Sequence, residues 1–377
     1  MAVFRALAGV SLVGAVTVYR SPHYAVRIKK NITYASTLVG CENQTDQATC
    51  SEEKMWLDAW QPTNTTDGPF PVVISVHGGG FVGGDPTENP PNAYFAQRGF
   101  VAFGVQYRLA SDKGLYPAAL RRWTPKTTVP AASWTPWIWQ MYPAVRDIKA
   151  ALRWVHANAA RYNADPSSIT LQGGSAGATA AIELALTGGA DQAFAGDYTA
   201  ELGSGEDRTL VSTNLDQRAT VNGLISYWGG IFAEDAMFAQ DGVHRWSKSS
   251  VPTVAFHGTD DTTVSPQTGD VLCGNLTALG VACHKVSLPG EKHACWNARV
   301  DLPGGRSQSI FDYAFDSMAN MSGWTVLDPT PPPGGCATAW KQCGGNNWSG
   351  TTCCEGSCTC SGTEWHKQCK PVNGNSC

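Results

Sequence analysis

An α/β fold with a mostly parallel central sheet, followed by a small disulfide-rich β module, is predicted from three observations on this 377-residue chain. Short apolar, β-rich runs alternate with helical patterns over most of its length. The composition then changes abruptly at Asp328-Pro329-Thr330-Pro331-Pro332-Pro333-Gly334-Gly335, a semi-rigid stretch of linker character. Beyond it lie eight of the 13 cysteines, between Cys336 and Cys377. So dense a cluster marks a unit held by disulfides, because so few residues cannot sustain a core.

At the N-terminus, Arg5 precedes an apolar run over 6–18 that has the length of a secretory h-region and is short for a bilayer span. A signal peptide over 1–19 and a secreted, extracellular chain are expected. Sequons at Asn31, Asn43, Asn64, Asn275, Asn320 and Asn347 suit a glycosylated surface in that compartment. The main domain is read over 20–327. Its strands fall at 72–76, 101–105, 169–172, 251–256 and 285–288, where continuous apolar character points to strands covered by helices on both faces. Helical patterns occupy 144–160 and 176–186. A stretch over 120–141 holds Trp123, Trp134, Trp137 and Trp139 among prolines and threonines. Without a clean helical period it reads as a loop near the mouth of a site, either an aromatic wall or lid or simply packing. The linker is 328–335, the small module 336–371 and the C-terminal tail 372–377.

A net charge of −4 leaves no basic footprint for nucleic acid, and no second apolar stretch is long enough for a membrane span. Among the body cysteines, Cys41 and Cys50 suit a local bridge. Cys273, Cys283 and Cys295 leave room for one further pair, and the odd total requires a free thiol or an external partner.

Two motifs carry chemistry. Strand 169–172 runs into Gly173-Gly174-Ser175-Ala176-Gly177 and then a helix-forming segment, the strand, tight turn and helix that expose a nucleophilic serine. His77-Gly78-Gly79-Gly80-Phe81 follows strand 72–76, and its glycines let backbone amides turn toward a developing oxyanion. Gly79, Gly80 and Ala176 are the expected oxyanion donors, with His77 fixing the loop by hydrogen bonding. After strand 251–256 comes His257-Gly258-Thr259-Asp260-Asp261, and after the last strand Pro289-Gly290-Glu291-Lys292-His293. His293 is the expected general base and Asp261 the acid that orients it, with Asp260 as the alternative acid and His284 as the rival histidine. The catalytic set is thus Ser175, Asp261 and His293, each beyond the carboxyl end of a predicted strand. Protein groups supply everything this chemistry needs, so no cofactor or metal is expected.

On these motifs, residues from about 30 to 325 resemble an α/β-hydrolase of the esterase/lipase superfamily with an H-G-G-G oxyanion motif. Tyr107-Arg108-Leu109 and the run from Ala159 to Gly177 carry the same resemblance. Cys336, Trp340, Cys343, Trp348, Cys353, Cys360, Trp365 and Cys369 keep the order of a family 1 carbohydrate-binding module, a cellulose-binding knot found mainly in fungi and oomycetes. That resemblance implies a flat face where Trp340 and Trp365 stack on sugar rings and Gln368 hydrogen-bonds hydroxyls. His366 stands where the third stacking aromatic usually does, and Thr363 near the usual asparagine. Six tail cysteines suit the three-bridge form, leaving Cys358 and Cys377 to pair with each other.

The resemblances together imply a secreted serine carboxylic-ester hydrolase targeted to the plant cell wall, where it removes acetyl or feruloyl esters from hemicellulose. Its expected partners are cellulose, associated hemicellulose and the ester substrate. The alternatives are a lipase, cutinase-like or general carboxylesterase anchored on cellulose, and a non-catalytic cellulose-binding wall protein.

Overall fold

The computed structural model describes residues 17–63, 66–87, 90–116, 135–186, 210–212, 214, 216–232, 234, 246–327, 337, 341–345, 354, 358–363 and 367–371. In chain order the elements are β1 (Thr17–Tyr19), β2 (Val26–Val39), β3 (Ser51–Pro62), β4 (Phe70–Val76), α1 (Asn92–Ala96), β5 (Val101–Val105), α2 (Thr135–Asn158), β6 (Ala164–Gly174), α3 (Ala176–Leu186), β7 (Leu210–Ser212), β8 (Gly223–Tyr227) and β9 (Thr253–Gly258). They continue with α4 (Gln267–Ala278), β10 (Cys283–Leu288), β11 (Arg299–Leu302), β12 (Arg306–Ser309), α5 (Ile310–Ser322), β13 (Thr325–Leu327), β14 (Gln342–Gly344), β15 (Cys358–Gly362) and β16 (Lys367–Pro371).

A nine-stranded sheet in the order β10-β9-β8-β6-β4-β5-β3-β2-β7 forms the body. From β10 to β5 every pairing is parallel, and β3, β2 and β7 add antiparallel strands on one side. β4, β5, β8 and β9 are buried along their whole length, as continuous apolar strands between helical layers should be. The two-residue side-chain period divides the core. Val72, Ile74 and Val76 of β4 pack with α2, α3 and α4 residues such as Ile148, Ile182 and Leu276 on one face. Val73 packs with Phe95 of α1 and Phe315 of α5 on the other.

The chain reverses direction across the sheet at β4, which has β5 on one side and β6 on the other. Loops leaving the carboxyl ends of β4 and β6 therefore emerge side by side, at the position where open α/β sheets form their ligand crevice. Those loops carry the H-G-G-G and G-G-S-A-G motifs.

Thr17–Tyr19 pairs in parallel with β13, and Val18 is fully buried. One sequence expectation changes. The Trp-rich stretch over 120–141 is not a loop throughout, because α2 begins at Thr135 and continues through Pro143. Pro136 can occupy the first helical turn, where its missing N–H costs nothing, but the two prolines hide the helical period. Trp123 and Trp134 lie outside the described residues.

Among the described residues, no helix is long and apolar enough to cross a membrane. Cys41 is bonded to Cys50 and Cys273 to Cys283, leaving Cys295 as a free thiol. In the cysteine-rich tail a small sheet, β14-β16-β15, is stapled by Cys343–Cys360 and Cys354–Cys369, and Cys358 is also disulfide-bonded. Trp340, Trp365 and His366 lie outside the described residues, whereas Gln368 is half-buried in β16 opposite Gln342 and Ser361.

Candidate active site

Ser175 sits between β6 and α3 with φ of +53°, a left-handed conformation that costs a non-glycine residue about 1–3 kcal/mol and persists only where its surroundings fix it. Here they do. Its N–H donates to the Tyr227 carbonyl on neighbouring β8 at 2.9 Å. Its carbonyl accepts from the Thr179 amide at 2.9 Å and the Thr179 hydroxyl at 3.1 Å, and that hydroxyl accepts from Gly230 N–H at 3.0 Å. Gly177 allows the close approach of helix to strand, since a Cβ there would lie 2.3 Å from the carbonyl oxygens of both Val76 and His77.

The histidine and acid loops are laced to each other. Thr259 N–H donates to Leu288 O, Asp260 N–H to Glu291 O, and Gly290 N–H to the Thr259 hydroxyl. This brings His293 between Asp261 and Ser175. Nδ1–H of His293 donates to Asp261 Oδ2 at 2.8 Å, and the Ser175 hydroxyl donates to His293 Nε2 at 2.8 Å. Asp261 is buried and its Oδ1 accepts from the amides of Thr263 at 2.8 Å and Val264 at 3.0 Å, so both carboxylate oxygens are engaged. Asp260 is exposed and takes a bond from Thr259 instead, which separates the two candidate acids. His284 lies in β10, tilted against Tyr313, away from this relay.

The H-G-G-G loop lies directly beside the serine, since a Cβ on Gly78 would fall 3.3 Å from the Ser175 Cβ. Gly79 has φ of +109° and space for no side chain, a Cβ being 2.1 Å from Gly83 O. The loop is held from behind. His77 stacks on Tyr107 at 4.2 Å and donates through Nδ1 to Gly78 O, while the Tyr107 hydroxyl donates to His77 O at 2.9 Å. Among the described residues, the amides of Gly79, Gly80 and Ala176 donate to no other group. They are free N–H donors beside a nucleophile, the arrangement that stabilises a tetrahedral oxyanion.

Supporting residues that motif reading did not single out complete the site. His257 donates from Nε2 to Val264 O at 2.9 Å and lies 3.3 Å from Asp261 Oδ2; burial lowers its pKa and keeps it neutral. Trp228 and Trp296 back the serine turn, crossing edge to face at 4.6 Å, with Trp228 also edge-on to His293. Their aromatic character was visible, but their partnership spans the loops after β8 and β10 and has no local signature. Burial pushes the Cys295 thiol up to about 11, leaving it protonated and inert at neutral pH. The one convergence of metal-type ligand atoms among the described residues, the sulfurs of Cys343, Cys354 and Cys360, consists of disulfide sulfurs, which offer no thiolate.

This architecture matches solved structures. Thermogutta terrifontis esterase 2 in a form phosphoramylated by tabun superposes with a TM-score of 0.52 at 20% identity, over 81% of this chain and 97% of that one. The apo form of the same esterase gives 0.51 at 21% identity, over 82% and 97%. The chain has the α/β-hydrolase fold. Within that fold, a family model described as BD-FAE matches residues 57–122 and 139–230, less than half of the chain. The match covers the H-G-G-G loop and the Ser175 turn and breaks across the Trp-rich stretch. Fumonisin B1 esterase of Sphingopyxis macrogoltabida is 32% identical over 138 residues, 36% of this chain and 23% of its own. Carboxylesterase 1C of Rattus norvegicus is 29% identical over 171 residues, 45% and 27% of the two chains. The chain thus spans about a quarter of the length of the curated relatives it matches.

Proposed function

We propose that this chain is a secreted serine carboxylic-ester hydrolase that removes acetyl or feruloyl groups from cell-wall hemicellulose, with its cysteine-rich tail holding it on cellulose. The observation that carries the reading is the unbroken relay from buried Asp261 through His293 to Ser175, at 2.8 Å for each link, beside unengaged backbone amides.

In this mechanism His293 takes the Ser175 proton as Oγ attacks the ester carbonyl, and Asp261 steadies the imidazolium that forms. The oxyanion is received by the amides of Gly79, Gly80 and Ala176, each such donor contributing about 2.7–4 kcal/mol to the transition state. Collapse expels the alcohol, which takes its proton from His293, and leaves an acyl-Ser175. Water activated by the same histidine then releases the acid. The esterases and carboxylesterases among the relatives support ester hydrolysis. The disulfides at both ends of the chain support an oxidising, extracellular compartment. The order of cysteines and aromatics in the tail supports cellulose as the address, which would raise the local concentration of enzyme on wall-bound esters.

The test is release of acetate and ferulate from destarched plant wall, measured by chromatography for the native chain and Ser175→Ala. Release that depends on Ser175 is expected. If neither acid appears while short aryl esters are still cleaved in a Ser175-dependent way, the enzyme is a general carboxylesterase, the reading that relatives such as Carboxylesterase 1C favour.

A further inference from the structure

A cleft of about 360 Å³ lies far from the serine, between the start of β2, the end of β3 and the turn after α2. This volume falls in the range of small-molecule sites, roughly 300–1,000 Å³. Arg27 and Lys29 project from one face of β2, opposite Gln61 and Ala59 of β3. Arg161, from the turn after α2, also lines the cleft. No acid lines the cleft, and none of the three cations has a carboxylate partner among the described residues. On a chain of net charge −4, three uncompensated cations around one cavity form a local reversal of potential that an anion would relieve.

The polar groups around these cations are arranged rather than scattered. Gln61 donates to the Tyr162 carbonyl at 2.8 Å and accepts from Arg27 at 3.2 Å, so it tethers the guanidinium beside the cleft. Tyr162, 4% exposed, bounds the cleft from the core side, its ring edge-on to Phe103 at 5.3 Å.

We infer that this cleft binds a carboxylate-bearing sugar unit, as in uronic-acid segments of a wall polysaccharide. Arginine forks match carboxylate geometry, and Lys29 adds a third positive charge beside them. That the sugar belongs to a wall polymer rests on the function proposed above.

The cleft sits at the amino ends of the parallel strands, since Gln61 lies one residue past Trp60, the partner of Ala102 near the start of β5. Near the two ends of β6, Ala164 and Gly173 pair with Phe70 and Val76 of β4, so the length of β4, roughly 20 Å at ~3.3 Å per residue, separates the cleft from Ser175. A short oligosaccharide in the cleft therefore leaves the active site untouched, and a long acidic chain could hold the enzyme while its esters are cleaved elsewhere.

The test is calorimetric titration of the full chain with a short oligogalacturonide, the same oligomer with its carboxyls reduced to alcohols, and inorganic phosphate. Binding of the acidic oligomer is expected to weaken about tenfold or more when the carboxyls are reduced, and likewise in Arg27→Gln/Arg161→Gln, the loss of charge-assisted hydrogen bonds. Hydrolysis of a soluble aryl acetate should be unchanged in that variant. Arg161→Gln alone, altering one exposed side chain, should weaken binding in the same direction. Equal binding of the reduced oligomer, unchanged binding in the variants, or phosphate binding as tight as the oligomer would overturn the assignment. The two readings fail separately. Absent oligomer binding with intact Ser175-dependent wall release removes the cleft site alone, and binding without wall release removes the wall-esterase reading alone.

Discussion

Asp261 and Asp260 are chain neighbours with opposite surroundings. Asp261 is buried with both oxygens engaged by His293, Thr263 and Val264, whereas Asp260 faces solvent. An amide at 261 cannot favour the tautomer that leaves Nε2 free to accept the serine proton. For Asp261→Asn, kcat on an aryl acetate should fall by a factor on the order of 10⁴, the size of this effect in a serine-protease triad, with KM little changed. Asp260→Asn should leave kcat nearly unaltered, and steady-state kinetics of the two variants separates the roles. At this scale the sequence was informative where chemistry demands a local motif. Ser175 is framed by glycines and His293 follows a strand in a glycine-containing loop. The choice between adjacent aspartates depends on how one turn is wound, and the supports from His257 and Thr179 come from contacts that composition does not record.

Elements hold the site through a buried ion pair. The Arg108 guanidinium, beyond β5, meets Asp147 of α2 with Nη2 at 2.8 Å from Oδ1 and Nε at 2.8 Å from Oδ2, both side chains fully buried. The Arg108 amide donates to the same carboxylate and Nη1 to Leu38 O on β2. The preceding residue, Tyr107, is the one that holds the His77 and Gly78 carbonyls. Asp147→Asn would leave the guanidinium's charge uncompensated, and a loss of about 3–5 kcal/mol is expected from breaking such a pair, read in urea unfolding monitored by tryptophan fluorescence. Strands covered on both faces were legible as apolar runs, and β5 and α3 have the limits their patterns implied. β2 and β3 were not, because residues such as Arg27, Lys29, Glu52 and Glu53 face solvent near the sheet's antiparallel side. Their pairing is long-range and carries the cleft that no motif announced.

On the scale of the molecule, the sheet puts two kinds of chemistry at its two ends. The carboxyl ends of β4, β6, β9 and β10 supply the glycine loop, the serine, the acid and the histidine, and the amino-end side supplies the basic cleft. The α/β-hydrolase fold was readable because its catalytic residues arrive in a fixed order after successive strands. The pairing of Thr17–Tyr19 with β13 was not, because it joins segments far apart in the chain and has no local signature. The tail's disulfide staple was anticipated from cysteine density, whereas individual pairings depend on where each sulfur lies in space.

Everything proposed for turnover requires Ser175 to be the nucleophile. The most direct measurement is mass spectrometry of the intact chain, with peptide mapping, after exposure to diethyl p-nitrophenyl phosphate, whose phosphorus is attacked as an ester carbonyl would be. The native chain should gain a single diethylphosphoryl group on Ser175 and lose esterase activity in proportion, with Ser175→Ala unmodified. Labelling of another residue in step with inactivation, or full esterase activity in Ser175→Ala, would contradict the assignment.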